Sequence, residues 1–237
     1  VLFEDFTKER HIMDSNIPSV QPVHSPSPRM AFLRWRVVDI VVASVIGVVS
    51  AFIYWGSAWA YQALKPAFAF IPGLIGLVNG LFLFAGPLAA IIVRKPGAAV
   101  YAETVAALLE SLLGNAWGGA ETVISGLLQG IGAELVFLFC LYRVWNWFTA
   151  VLSGLFSAAA CYIGYAVLGY LQGSSAVKKA VEGVSTIVSG AVIAGICMWL
   201  LYLAIAKTGA LDRFPSGQAV RMKVQDGQDN VSAAEAE

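Results

Sequence analysis

Hydrophobic residues gather along the chain into six long runs separated by short polar breaks: 37–61, 68–93, 97–113, 120–142, 147–171 and 184–202, the last extending to about residue 206. Each is close to the ~20 residues an α-helix needs to cross the hydrocarbon core of a bilayer, the third being the shortest. The pattern predicts an all-α membrane protein, a bundle of six transmembrane helices occupying residues 31–207. A polar, disordered tail is expected over 1–30, where Pro18, Pro22, Pro26 and Pro28 interrupt any period. A second polar tail is expected over 208–237. The first run is too long for the core of a signal peptide, and Met13 and Met30 are candidate natural starts. The second run carries Gly73, Gly76, Asn79, Gly80, Gly86 and Pro87, a composition that favours a kink or a break.

The breaks set an orientation. With the N-terminus on the cytoplasmic side, the inner loops hold Arg29, Arg34, Arg36, Arg94, Lys95, Arg143, Lys207 and Arg213, and the outer loops only Lys65, Lys178 and Lys179. Positive charge stays inside, so both termini are expected to be cytoplasmic. Trp59, Tyr61, Trp145, Trp147, Tyr170 and Tyr202 sit at span ends, as interfacial aromatics do. Composition agrees: 58% of residues are apolar and 13% charged, the latter roughly half the ~25% usual in a soluble domain. The formal net charge is zero, so no basic field recruits nucleic acid. Cys140, Cys161 and Cys197 lie inside apolar runs and read as small buried hydrophobes, with no disulfide framework or zinc spacing. His11 and His24 both fall in the tail, which excludes a histidine-ligated metal inside the spans; no metal or cofactor is implied. There is no phosphate-binding Gly-rich loop with its lysine and no nucleophile–histidine constellation, so the chain neither uses ATP itself nor reads as an enzyme.

Some charges do not belong in a bilayer. No Lys or Arg occurs inside a run, yet Glu103, Glu110 and Glu134 do, with Glu121 near the outer end of the fourth span. Asp39, near the inner end of the first, can pair with Arg36 or sit at a helix N-terminus. An ionised carboxylate inside a membrane costs at least a few kcal/mol, about 2.5–3.5 for Asp on insertion scales. Either burial leaves these glutamates protonated as hydrogen-bond donors between helices, or a bound cation supplies the missing charge. Glu103 and Glu110, seven apart, share a helix face about 10 Å apart along the axis. Glu121, Ser125 and Gln129 form a stripe at every fourth residue. Between these helices the uncharged loop 114–119 offers the amide of Asn115 and the flat ring of Trp117. Glu134 points about 140° away from Gln129, on the side of Gly126 and Gly130, where helix packing is the alternative role. Tyr54, Trp55, Trp59 and Tyr61 gather in the outer half of the first span, and Tyr162 and Tyr165 in that of the fifth. Carboxylates and aromatics in a pocket open to the outside suit a flat, cationic organic molecule. The stripe Ala43, Gly47, Ala51 permits close approach of another helix, from this bundle or from a partner. Loop 172–183, with Lys178 and Lys179, is a candidate lid that its composition leaves undecided.

Several blocks resemble the YkoE family, substrate-binding S components of energy-coupling factor (ECF) vitamin transporters. They are Arg34-Trp35-Arg36-Val37-Val38-Asp39, Lys95-Pro96-Gly97 with Tyr101-Ala102-Glu103, Glu110-Ser111-Leu112-Leu113-Gly114-Asn115-Ala116-Trp117-Gly118, Gln129-Gly130-Ile131-Gly132-Ala133-Glu134 and Tyr142-Arg143-Val144-Trp145. The resemblance runs from about Arg34 to the sixth span, with residues 95–134 its specific part. It implies a six-helix bundle in a prokaryotic cell membrane that captures thiamine or its hydroxymethylpyrimidine (HMP) precursor at the extracellular side. It further implies partners, a transmembrane coupling protein and two cytoplasmic ATPases that topple the loaded bundle in the lipid bilayer. The small-residue stripe Ala43, Gly47, Ala51 matches in kind the family's docking motif for the coupling protein, with Gly in place of one Ala. By matching blocks, Glu110, Asn115, Trp117 and Gln129 are the expected ligand contacts, with Trp55 and Trp59 as stacking candidates and Glu103 and Glu134 as further candidates. The main rival is a secondary transporter of a cationic metabolite in which Glu103, Glu110 or Glu134 carries a proton, but the two halves share no internal similarity. A carboxylate-only intramembrane enzyme is the third reading.

Overall fold

The computed structural model describes residues 34–115 and 117–235, with side chains to residue 226. The expected tail 1–30, with both histidines and both candidate starts, lies outside the described residues. From Trp35 onward the chain forms one unit. Helix α1, Val37–Leu64, is followed by 3₁₀ stretches at Ala67–Phe70 and Leu74–Phe82 and by α2, Ala85–Val93. Then come α3, Ala98–Leu113, α4, Gly119–Phe139, and α5, Trp147–Val167. Helix α6, Ala176–Ser189, runs on through π-helical Gly190–Cys197 into α7, Met198–Lys207, and α8 spans Pro215–Glu235. Among the described residues there is no strand.

Among the described residues, five segments are long and apolar enough to cross a membrane: α1, Leu74–Val93, α4, α5 and the 32-residue helix Ala176–Lys207. The expected third crossing is α3. Its 16 residues reach only about 24 Å, short of the ~30 Å hydrocarbon core. The last helix begins eight residues before the hydrophobic run expected at 184, because Ser175 caps it by accepting the Lys178 N–H (3.2 Å).

Small residues let α3 sit at the centre. Ala98, Ala99, Ala102, Ala106 and Ala107 are all buried. A Cβ at Gly130 of α4 would lie 2.8 Å from the Val100 Cα, so only glycine allows this approach. On the other side of α3 lies the small-residue stripe of α1. Ala43 and Ala51 are fully buried, and a Cβ at Gly47 would lie 2.8 Å from a Val105 methyl. The stripe serves close packing of α1 on α3 within the bundle.

The second run is broken where its glycines cluster. Leu74–Phe82 winds as 3₁₀ and lies against α6, where a Cβ at Gly76 would meet the Ser185 hydroxyl at 2.3 Å. The seam is polar. Asn79 Nδ2 donates to Thr186 Oγ1 (2.9 Å), Gly80 N–H to Ser189 Oγ (2.9 Å) and Ser185 Oγ to the Gly73 carbonyl (3.0 Å). Such bonds join helices where lipid removes the hydrophobic driving force between them.

The opposite end of the bundle is basic and tightly tied. Asp39 accepts the Arg36 N–H (2.9 Å) and its guanidinium (2.8 Å), so it fills both expected roles at once. Arg94 stacks over the Trp145 ring. Helix α8 lies within the region read as a polar tail. It is anchored by Phe214, 2% exposed, and by Ser216, whose hydroxyl donates to the Ile92 carbonyl (2.7 Å) while its carbonyl accepts from Tyr202 (2.8 Å).

Candidate functional site

At the end of the bundle away from those arginines, α1, the 65–73 connection, the 3₁₀ stretch and helices α3 to α6 surround a cavity of about 450 Å³. Its aromatic wall comes from Tyr54, Tyr61, Phe82, Trp117 and Tyr165. Tyr54 and Tyr61 are seven apart and therefore share one face of α1. The Trp117 ring stands edge-on to Tyr61, with centroids 5.1 Å apart, and to Phe82 at 6.4 Å.

The polar wall begins with Glu110, buried near the last turn of α3. Its Oε1 accepts from Asn115 Nδ2 (3.2 Å), which also donates to Thr122 Oγ1 (2.8 Å). The Asn115 carbonyl oxygen accepts the N–H groups of Trp117 (3.1 Å) and Gly118 (3.2 Å), folding the loop back on itself as an Asx turn does. One side chain thus fixes both the carboxylate and the indole, without itself lining the cavity. Glu121, Ser125 and Gln129, four apart on one face of α4, all line it. Gln129 is held by an Nε2 bond to Cys161 Sγ (3.2 Å). At the rim Tyr170, on the connection between α5 and α6, donates to Glu121. Burial, and then that bond, push the Tyr170 phenol up to about 12, so it stays a donor at neutral pH.

The other expected residues lie elsewhere. Glu103 is 0% exposed and sits behind the wall: Oε1 accepts from the Tyr54 hydroxyl (2.8 Å) and Oε2 from the Gly86 N–H (2.6 Å). The Tyr54 oxygen in turn accepts the Ala85 N–H (2.9 Å). Together they hold the Tyr54 ring and satisfy the free N–H groups where α2 begins. Glu134 accepts the Gly97 (2.7 Å) and Ala99 (2.8 Å) N–H groups and the Tyr142 hydroxyl (2.7 Å), so it caps α3 at the basic end. Trp55 and Trp59 are not brought to the cavity. Trp59 is 58% exposed, and Trp55 donates Nε1 to the Gly114 carbonyl (3.0 Å). The helix turns Tyr54 and Tyr61 inward in their place.

Three polar groups of the lining, Asn79, Thr122 and Glu182, escaped the sequence reading as site residues. Glu182 was taken for loop because the hydrophobic run starts after it. The Ser175 cap with charged residues at helical spacing was the available signal. Among the described residues, no group of three or more His, Cys, Asp or Glu side chains is placed to hold a metal ion.

Comparison with known proteins converges on one family. The family described as "ABC-type cobalt transport system, permease component" matches residues 38–160. A protein of Bacillus subtilis (strain 168), named "Putative HMP/thiamine permease protein YkoE", is 32% identical over 206 residues, covering 84% of this chain and 98% of that protein. A solved structure titled "Crystal structure of an S-component of ECF transporter" matches with a TM-score of 0.77 at 30% identity, covering 83% of this chain and 98% of that one. With its span-length helices and its relatives among transporter components, the chain is a multi-pass membrane protein and a member of the YkoE family of ECF transporter S components.

Proposed function

We propose that this chain captures thiamine at the extracellular face of a prokaryotic cell membrane and delivers it inward as the S component of an ECF importer. The observation that carries the reading is the cavity in which Glu110 faces the aromatic wall of Tyr54, Tyr61 and Trp117. Thiamine joins a flat aminopyrimidine to a cationic thiazolium. A buried carboxylate accepts from the exocyclic amine or shares a proton with the ring, while aromatic faces stack on the rings and attract the cation. Gln129 and Trp117 complete the contacts, and Asn115, Glu103 and Glu134 hold the frame. HMP, the neutral pyrimidine half alone, is the alternative ligand, and the B. subtilis relative's name includes it.

In this reading the bundle crosses the membrane six times with α3 as the short third crossing, and both termini are cytoplasmic. Lacking a phosphate-binding loop, it takes its energy from partners, a transmembrane coupling protein and two ATPases, which tip the loaded bundle towards the cytoplasm. With Ala43, Gly47 and Ala51 taken up by α3, the coupling protein meets α1 on its exposed face, along Val41, Val45, Val49 and Phe52.

The test is titration of the detergent-purified protein with thiamine, followed by tryptophan fluorescence. Of the seven tryptophans only Trp117 lines the cavity. Saturable quenching is expected, lost in Trp117→Phe, with Glu110→Gln weakening affinity roughly tenfold to a hundredfold. Absence of quenching by both thiamine and HMP in the unaltered protein would overturn the vitamin reading.

A further inference from the structure

A second carboxylate in the cavity is less encumbered than Glu110. Glu182 lies on α6, a helix that contributes none of the residues holding Glu110, and is 8% exposed. Its side chain lines the cavity. The carboxylate takes no hydrogen bond and no ion pair among the described residues. The nearest positive charges are Lys178 and Lys65, neither of them at ion-pairing distance. Lys178 is one turn earlier on the same helix, but its Nζ donates to Ser174 Oγ (3.3 Å). The stem of Glu182 is backed by the 3₁₀ seam, where a Cβ at Gly73 would lie 3.2 Å from its own Cβ. The phenols of Tyr61 and Tyr165 lie close enough to feel its charge.

A buried carboxylate without a partner is costly unless a ligand completes it. The other two acids of the cavity are already engaged, Glu110 by Asn115 and Glu121 by Tyr170. The formal charges of the lining, three carboxylates against two lysines, leave one negative charge in excess. A single positive charge on the ligand balances it, and the adjacent tyrosine rings favour one delocalised over a flat ring. A neutral pyrimidine satisfies Glu110 and leaves Glu182 as it stands.

We infer that Glu182 is a specificity-determining residue that recognises a permanently cationic heteroaromatic ring, so that the cavity selects a two-ring, thiamine-type ligand over the lone pyrimidine. The inference rests on the function proposed above and sharpens it: Glu110 reads the pyrimidine and Glu182 reads the charge.

The experiment compares three ligands on the purified full chain: thiamine, its neutral isostere 3-deazathiamine (a thiophene in place of the thiazolium), and HMP. The unaltered protein is expected to bind thiamine roughly tenfold to a hundredfold more tightly than the isostere. Glu182→Gln should erase that gap while leaving HMP and isostere affinities within about twofold, and their retained binding reports that the variant is folded. A gap that survives Glu182→Gln overturns the assignment, as does an equal loss for all three ligands. If the unaltered protein binds none of them, the vitamin reading itself fails, and that result is separate because it does not involve the variant.

Discussion

At the scale of single residues, the site depends on an amide that does not line it. Asn115 holds the Glu110 carboxylate, the Thr122 hydroxyl and the Trp117 backbone at once. Asn115→Ala is expected to cost about 1–2 kcal/mol of stability and to weaken thiamine binding about tenfold by releasing Glu110 and the indole. Asn115→Asp keeps the acceptor for the loop N–H groups but sets a second carboxylate against Glu110, so it should bind less tightly than the alanine variant at neutral pH. Thermal unfolding and fluorescence titration of both variants check the order. The sequence grouped Asn115, Trp117, Glu110 and Gln129, because spacing along two antiparallel helices joined by a short loop brings them together. It could not separate a residue in the cavity wall from one that holds the wall, since that depends on which way the loop turns back. Nor could it choose among Tyr54, Trp55, Trp59 and Tyr61. On an ideal helix the four fall in two pairs about 130° apart, Tyr54 with Tyr61 and Trp55 with Trp59, and only packing against α3 decides which pair faces inward.

At the scale of elements, close approach matters more than hydrophobicity. Gly76 leaves no room for a Cβ, whereas nothing lies within 4 Å of one at Gly56 on the exposed side of α1. Gly76→Ala should therefore destabilise by about 1–3 kcal/mol through overpacking against α6. Gly56→Ala should stabilise by about 0.5–1 kcal/mol, as alanine does inside a helix. Melting temperatures in one detergent distinguish the two, and equal shifts would contradict the seam. The hydrophobic runs made most of the helices legible, since a run long enough to cross a bilayer has few alternatives to a helix. The winding was not legible. Six residues separate Gly76 from Phe82, and at ~120° per residue in a 3₁₀ helix, against ~100° in an α-helix, the two windings differ by about 120° over that stretch. The 3₁₀ form turns Gly76 and Asn79 onto α6 while Phe82 reaches Trp117, a choice set by the serines of a helix a hundred residues away.

At the scale of the whole molecule, the two ends of the bundle differ in construction. The basic end is locked by caps and by α8, and Phe214→Ala is expected to lower stability by about 3 kcal/mol without changing thiamine affinity, since Phe214 lies outside the cavity lining. Parallel unfolding and titration measurements test that separation. The α8 anchor escaped the sequence because Leu211 and Phe214 are two large apolar residues in polar surroundings, too few to mark a packed element. The same division of ends has an electrical consequence. The chain is formally neutral, yet Arg36, Arg94, Arg143 and Lys207 lie towards one end, whereas at the other the cavity's Glu110, Glu121 and Glu182 outnumber its Lys65 and Lys178 by one, so the molecule carries a charge separation along its long axis. In the proposed orientation its positive end rests on the side that a resting membrane potential makes negative, so the upright bundle lies with the field. Each elementary charge moved through the whole potential exchanges about 2.3 kcal/mol per 100 mV. In the proposed mechanism, tipping the bundle would rotate that separation against the field, and the voltage across the membrane would become part of what the partner ATPases overcome.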